Sequence, residues 1–248
     1  MLRRICMELE GKELDYRKSS NLQGVLFEHI STGYSEKMHM QQLHPYSQYL
    51  IKEKERLYWY VNTLDGEAAA EIIDVLAGEA FQTFSLKKSD TDVRIIGKRM
   101  EQCTQKELLE EFYTKEAEKY FRLEFLTPTA FKQRGRFVIW PDVCLVYQSL
   151  MNKYSAILSE TDMYDEETLE QLVESSELAE YRLRSVKFPM EGIVIPAFCG
   201  TITIRMRGTN TMARYLRMLL RFVEYSGVGI KTAMGMGAVR MAERGMRK

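Results

Sequence analysis

Residues 201–241, TITIRMRGTNTMARYLRMLLRFVEYSGVGIKTAMGMGAVRM, contain four consecutive signals that indicate the fold. Apolar and polar residues alternate over 201–207, which is the period of a half-buried strand. Thr209 is a good helix N-cap, and apolar positions then recur at helical spacing through the predicted helix 211–225. A glycine-rich segment follows, and residues 238–241 return as a strand. The predicted order is strand, helix, glycine-rich loop, strand.

The glycine-rich segment, GVGIKTAMGMGAVR at 227–240, has the composition of an anion-binding loop. Its four glycines are Gly227, Gly229, Gly235 and Gly237. Because glycine has no Cβ atom, neighbouring N–H groups can surround a phosphate. Lys231 and Thr232 add a positive charge and a hydroxyl. We therefore expect this loop to contact phosphate oxygens.

The spacing of the loop does not fit the two common nucleotide-binding loops. The triphosphate loop has glycine directly before lysine, whereas Ile230 holds that position here. The dinucleotide fingerprint lies between a strand and a helix, whereas this loop follows a helix and precedes a strand. An enzyme that uses a mononucleotide is therefore disfavoured.

Charge is unevenly distributed, although 35 Lys plus Arg balance 35 Asp plus Glu. Residues 201–248 contain ten basic and two acidic residues, whereas residues 160–180 contain nine acidic ones. Arg214, Arg217 and Arg221 lie on the polar face of the predicted helix, where they are either solvated or part of a binding surface. The basic end of the chain would attract a polyanion such as nucleic acid.

Length and composition limit the remaining possibilities. A chain of 248 residues with 45% hydrophobic content can form one large core or two of about 120 residues each. The four cysteines are far apart in sequence, which favours a reducing compartment over a zinc ribbon. No apolar run approaches about 18 residues and no signal peptide is recognisable, so we expect a soluble, cytoplasmic protein that does not enter a membrane.

Each half of the chain predicts the order β-α-β-β-α-β. In the first half, the strands are 2–9, 46–51 and 57–61, the helices begin near Ser20 and Ala69, and segments 82–86 and 93–96 compete for the fourth strand. In the second half, the strands are 120–126, 181–188, 193–207 and 238–241, and the helices are 143–158 and 211–225. The predicted fold is α+β, with two tandem ferredoxin-like (RRM-like) βαββαβ domains at residues 1–115 and 119–248 and a glycine-rich loop before the last strand.

Three motifs together resemble a known family. They are GVGIKTAMGMGAV after an apolar helix, TPTAF at 127–131, and PYSQYL at 45–50 shortly after a histidine. This combination resembles the CRISPR-associated endoribonucleases of the RAMP superfamily, which cut precursor CRISPR RNA within its repeats. The resemblance implies metal-independent cleavage through the adjacent 2′-hydroxyl, without a cofactor, giving a 2′,3′-cyclic phosphate and a 5′-hydroxyl. It also implies CRISPR repeat RNA as the partner, with effector-complex subunits or a second copy as further partners. The alternative is a non-catalytic RNA-binding scaffold subunit of a CRISPR effector complex.

Candidate catalytic residues come from the first half. His39 occupies the position of the family's histidine, and histidine suits proton transfer near neutral pH. Tyr46 could orient the scissile phosphate through its hydroxyl or be an ordinary strand aromatic. His29 lies where relatives supply a second polar group, but it shares an apolar stripe, which favours a core histidine. His44 is predicted to be a loop residue, and no metal site is expected because His39 and His44 lack a nearby carboxylate in a ligand pattern.

The RNA backbone is expected to follow the basic end of the chain. The predicted contacts are Gly227, Gly229, Lys231, Thr232, Gly235, Gly237 and Arg240 in the loop, and Arg205 and Arg207 on the preceding strand. A KQRGR turn after TPTAF, with Lys132, Arg134 and Arg136, is either a second basic contact or a solvated turn. Such phosphate contacts position RNA, whereas base contacts specify its sequence.

Overall fold

The computed structural model describes residues 1–11, 14–41, 43–87, 91–114, 116–158, 165–190 and 192–242. The N-terminal strands are Leu2–Glu10 (β1), Tyr46–Glu53 (β2), Arg56–Thr63 (β3), Thr83–Leu86 (β4) and Thr91–Cys103 (β5). They form an antiparallel sheet in the order β2-β3-β1-β5-β4. The helices of this half are Ser19–His29, Thr32–Met40 and a segment at 66–77 whose centre, Ala69–Ile73, is a π-helix.

The C-terminal half repeats the same topology. Its strands are Tyr120–Thr129 (β6), Phe131–Gln133 (β7), Arg136–Val138 (β8), Ser176–Met190 (β9), Ile193–Met206 (β10) and Val239–Ala242 (β11). The main sheet has the order β11-β6-β10-β9, and β7 and β8 form a separate hairpin. The helices are Gln105–Thr114, Val143–Leu158, Glu166–Glu174 and Asn210–Ser226, which we call the last helix.

The predicted ferredoxin-like order is confirmed in both halves. Both candidates for the fourth N-terminal strand form strands. Segment 93–96 lies within β5, which pairs with β1, and β4 pairs with β5 at the edge of the sheet. The elements that were not predicted include the β7–β8 hairpin and the helices Gln105–Thr114 and Glu166–Glu174. The division into 1–115 and 119–248 stays a prediction, and residue 115 lies outside the described residues.

The last helix is well defined by its caps and its apolar face. The Thr209 side chain accepts a hydrogen bond from the N–H of Met212 at 3.2 Å, as expected of an N-cap. Gly227 ends the helix with φ of 60°, a conformation that favours glycine. The apolar face, which includes Leu216, Leu219 and Val223, is buried in the C-terminal core. The helix therefore delivers the glycine-rich loop at a fixed point.

The C-terminal end of the last helix lies against the N-terminal sheet. Ser47 Oγ on β2 donates a hydrogen bond to the carbonyl of Tyr225 at 2.6 Å and accepts one from Asn62 Nδ2 at 2.9 Å. Arg4 on β1 donates to the carbonyl of Glu224 and, through Nε, to Asn62 Oδ1 at 2.6 Å. These groups satisfy carbonyls that a helix end leaves without partners. The two halves are thus joined by a hydrogen-bonded boundary.

Three further observations concern the described residues. No helix among them is long and apolar enough to cross a membrane. No group of three or more His, Cys, Asp or Glu side chains in those ranges is arranged to hold a metal ion. The four cysteines, all within the described part of the chain, are free thiols.

Candidate active site at the boundary between the two halves

The glycine-rich loop is held by the motif at 127–131. Gly237 N–H donates to the carbonyl of Pro128 at 3.0 Å, and Ile230 N–H donates to the carbonyl of Ala130 at 3.0 Å. Thr127 Oγ1 accepts from the N–H of Ala238, also at 3.0 Å. Two motifs that are about 100 residues apart in sequence therefore form one unit in the structure.

The glycines of the loop are needed for close packing inside the protein. A Cβ at Gly229 would lie 2.3 Å from the carbonyl oxygen of Ala130, and one at Gly237 would lie 2.0 Å from the carbonyl oxygen of Val228. A Cβ at Gly235 would lie 2.2 Å from the Cβ of Ser19 in the first helix. Such distances are far below van der Waals contact, so a larger residue would displace the loop.

The predicted donor nest is contradicted at three of the glycines, because their N–H groups are used within the protein. Gly227 donates to the carbonyl of Val223 at 2.8 Å, Gly229 to Ser149 Oγ at 2.9 Å, and Gly237 to Pro128. Gly227, Gly235 and Gly237 are also buried. RNA contact through the glycine backbone is therefore not what this geometry favours.

The loop connects the two halves through a short 3₁₀ turn, Thr232–Met234. Ala233 is buried in the N-terminal core. Its carbonyl accepts a hydrogen bond from Gln48 Nε2 at 2.9 Å, and Gln48 Oε1 accepts one from Trp59 Nε1 at 2.8 Å. Lys231, directly before the turn, is exposed. The buried turn therefore places an exposed lysine beside the N-terminal half.

One histidine of the N-terminal half, His44, lies within electrostatic range of that lysine and of a second histidine, His39. His39 is exposed in the last turn of helix Thr32–Met40, and its ring meets the Phe27 ring edge-on at 5.0 Å between centroids. His44 is half-buried. Burial is the largest cause that lowers the pKa of its imidazole, and the charges of Lys231 and His39 lower it further. Among the described residues, its Nδ1 is buried without a hydrogen-bond partner. His39, His44 and Lys231 therefore form a cluster, which we call the histidine–lysine site.

The two other candidate catalytic residues are held within the N-terminal half. Tyr46 is 1% exposed, its hydroxyl accepts from Gln23 Nε2 at 2.9 Å, and its ring lies 5.7 Å from that of His44. Burial raises the pKa of the Tyr46 hydroxyl. Tyr46 thus supports His44 and is not open to a phosphate. His29 is exposed and not a core residue, but its Nδ1 donates to the carbonyl of Val25 at 2.8 Å.

The predicted arginine contacts are already paired with carboxylates. Arg205 and Arg207 contact Glu177 at 3.2 and 2.7 Å. Arg205 pairs with Tyr120 in the sheet, five residues beyond the Phe125 position next to the loop, which is about 17 Å along the strand. Arg205 and Arg207 therefore lie away from the loop, and their contact with RNA stays a prediction.

Arg240 and two of the three helix arginines, Arg217 and Arg221, are also paired with carboxylates, whereas the buried Nε of Arg214 has no hydrogen-bond partner among the described residues. Arg240 contacts Glu124 at 2.9 Å and Glu53 at 3.6 Å, so it links the two halves. Arg217 contacts Glu111 at 2.8 Å in the helix that the sequence analysis missed. Within the described residues, several basic side chains of the C-terminal sequence are therefore neutralised by carboxylates. Lys132 and Arg134, in contrast, are exposed on the β7–β8 hairpin.

Thr232 faces inward, and its hydroxyl identifies a residue that the sequence analysis missed. Lys153 is 5% exposed, and its Nζ lies 3.3 Å from Thr232 Oγ1. The signal was present in the helix pattern, because Lys153 occupies the apolar stripe with Val146, Leu150 and Ile157. His44 was also missed as a site residue, and its only signal was its closeness to His39.

Comparisons with known proteins agree with this architecture. A family model described as CRISPR-associated endoribonuclease Cas6 matches residues 123–239. The chain is 39% identical over 222 residues to CRISPR-associated endoribonuclease Cas6 of Mycobacterium tuberculosis, covering 89% of this chain and 70% of that protein. It is 35% identical over 222 residues to the protein of the same name from Streptococcus thermophilus, covering 89% and 90%.

Solved structures share the fold over nearly the full chain. A structure described as a Cas6 product complex has a TM-score of 0.81 at 21% identity, covering 98% of this chain and 99% of that chain. Thermus thermophilus Cas6 has a TM-score of 0.72 at 23% identity, covering 98% of both chains. With the sequence relatives, the shared fold and the joined motifs, the chain belongs to the Cas6 family of CRISPR-associated endoribonucleases.

Proposed function

We propose that this protein cleaves precursor CRISPR RNA within its repeats by attack of a 2′-hydroxyl on the adjacent phosphate. His39 transfers a proton in this reaction, and Lys231 supplies positive charge at the phosphate. The observation that carries the proposal is the buried 3₁₀ turn, which places the exposed Lys231 of the C-terminal half against the N-terminal half that carries His39 and His44. The names of the sequence relatives support an endoribonuclease that acts in CRISPR processing.

Cleavage by a 2′-hydroxyl requires a base, an acid and a cation near the phosphate. The O2′ atom forms a bond to phosphorus while the bond from phosphorus to O5′ breaks. A base accepts the 2′-hydroxyl proton, and an acid protonates the leaving 5′-oxygen. The products are a 2′,3′-cyclic phosphate and a 5′-hydroxyl. Charge that develops on the other phosphate oxygens is stabilised by a nearby cation.

The two histidines differ in a way that suits two proton transfers. His39 is exposed, so RNA can reach it without displacing protein. His44 has a lowered pKa, which keeps its imidazole neutral near pH 7 and able to accept a proton. We therefore assign His44 as the base and His39 as the acid. Lys231, exposed beside them, faces the phosphate in this arrangement.

The RNA backbone extends from this site to the β7–β8 hairpin in our proposal. The hairpin begins at Phe131, directly after Ala130, whose carbonyl binds the glycine-rich loop. Its exposed side chains Lys132 and Arg134 offer cationic contacts to further phosphates. We place the reaction in the cytoplasm, a reducing compartment where four free cysteines are stable.

The proposal is tested with purified protein and a repeat RNA in excess chelator. His39→Ala is expected to lower the single-turnover rate by about 100-fold or more, because one proton transfer loses its group. End-group analysis should find a cyclic phosphate on the upstream product. A 2′-deoxy nucleotide at the cleavage site should abolish the reaction.

The matched control is Met40→Ala, because Met40 is the neighbouring residue of the same helix and is 89% exposed. This variant should cleave at the wild-type rate. Tight binding of repeat RNA without cleavage by the wild-type protein would instead support a scaffold subunit. Cleavage of the 2′-deoxy substrate would contradict the proposed mechanism.

A further inference from the structure

Lys153 is a buried basic residue that the proposed reaction has not yet used. It lies in helix Val143–Leu158 between residues of the C-terminal core, including Leu150, Met151 and Tyr154. Burying a lysine is unfavourable unless its amino group finds partners. An apolar residue of similar length would fill the same space without that penalty. Packing alone therefore does not explain why a lysine occupies this position.

The amino group of Lys153 contacts both ends of one segment of the glycine-rich loop. Its Nζ donates to the carbonyl of Ser226 at 3.0 Å and to the carbonyl of Gly227 at 3.1 Å, where the last helix ends. It also lies 3.3 Å from Thr232 Oγ1, at the start of the 3₁₀ turn. The Lys153 side chain thus contacts both Gly227 and Thr232.

Lys231 lies inside the segment that this contact closes. It has φ of 58° and ψ of 32°, the left-handed conformation, which is unfavourable for a residue with a Cβ. Its carbonyl accepts hydrogen bonds from the N–H groups of Met234 at 2.9 Å and Met236 at 3.2 Å. A strained turn of this kind persists only when its surroundings hold it.

We propose that Lys153 is a positioning residue for RNA cleavage, which fixes the left-handed turn at Lys231 and so aims the Lys231 side chain at the histidines. This inference rests on the proposed function. Lys153 does not touch RNA, because it is buried beneath the loop. It acts through Thr232 on one side and through Ser226 and Gly227 on the other.

A double-mutant cycle separates this role from a general contribution to stability. The four proteins are wild type, Lys153→Met, Lys231→Ala and the double variant, assayed by single-turnover cleavage at saturating repeat RNA and below their unfolding temperatures. We expect Lys231→Ala to slow cleavage about 100-fold and Lys153→Met at least about tenfold. The double variant should be no slower than Lys231→Ala, because the two residues act on one step.

The control is Lys119→Met, because Lys119 Nζ donates to the carbonyl of Gly208 at 2.7 Å before the other end of the last helix. It should lower stability without slowing cleavage. If Lys153→Met does not fold, Thr232→Val replaces it in the cycle, since it removes the hydroxyl contact and keeps the lysine. Its loss of rate should be smaller and should also disappear in the Lys231→Ala background.

The outcomes distinguish the two proposals. A wild-type protein that does not cleave repeat RNA overturns the proposed function and the role of Lys153 with it. Wild-type cleavage with a folded Lys153→Met variant at the wild-type rate overturns only the positioning role. Losses that multiply in the double variant also overturn it, because Lys153 would then act independently of Lys231.

Discussion

The glycine-rich loop and the β7–β8 hairpin are neighbours with similar composition and opposite roles. Both contain glycine and basic residues, and both adjoin Ala130. The loop packs backbone against backbone, whereas Gly135 in the hairpin has nothing within 4 Å of an added Cβ. The comparison teaches that a glycine near a lysine can mark a close approach to the backbone. It does not tell whether the approaching group is a ligand or another part of the protein.

The largest expected effect comes from adding one methyl group to each region. Gly237→Ala should lower the free energy of unfolding by about 4 kcal/mol, because the new Cβ lies 2.0 Å from a carbonyl oxygen and φ is 71°. Gly135→Ala, with φ of 79° and open space, should cost only about 1 kcal/mol. Urea denaturation of both variants measures the difference. Similar losses at the two positions would remove the distinction between the regions.

A buried lysine and an exposed one should respond differently to pH. Burial lowers the pKa of Lys153 from 10.5 to about 7. Between these values the unfolded chain binds one more proton at this residue than the folded chain, so this residue's contribution to stability rises with pH. The contribution of Lys153 to the free energy of unfolding is therefore lost as the pH falls to about 7.

The measurement compares wild type with Lys153→Met by urea denaturation at pH 7 and pH 9.5. The free energy of unfolding of wild type relative to the variant should rise by roughly 3 kcal/mol over this interval. The matched control, Lys132→Met on the hairpin, should keep the wild-type slope. A difference between wild type and Lys153→Met that stays constant with pH would refute a lowered pKa.

The smallest expected effect concerns RNA affinity. Changing Lys132 and Arg134 together to alanine should weaken binding of repeat RNA about tenfold and reduce the salt dependence, with stability unchanged. The comparison pair is Arg205 with Arg207, which already contact Glu177. Replacing that pair by alanine should change affinity less than about twofold. Filter binding at several salt concentrations tests this, and equal losses would restore the arginines as RNA contacts.

Local patterns sufficed for much of the fold. The helix predicted at 143–158 has those bounds, and both sheets have the predicted strand order. Helix Gln105–Thr114 was missed although it lies just before the predicted domain boundary at residue 115, and contacts such as Glu111 with Arg217 stabilise it. Helix Glu166–Glu174 was hidden in an acidic segment, although Asp165 caps it.

The site was less predictable because its geometry depends on distant partners. His39 and Lys231 were both named from the sequence, and the 3₁₀ turn that carries Ala233 into the N-terminal core brings Lys231 to that half. Nothing local indicates that the loop N–H groups bond to residues around 128 and 149. Lys153 likewise depends on carbonyls 73 and 74 residues away, which no helix pattern reveals.

The buried amide of Gln48, which bonds Trp59 on one side and Ala233 on the other, has a consequence for how substrate enters. Separating the halves would break the hydrogen bond between Gln48 and Ala233, at about 1–3 kcal/mol for a polar group left without its partner. This hydrogen bond therefore favours the same spacing of the two halves before and after RNA binds. If the halves keep this spacing, the RNA is the partner that changes shape when the two bind.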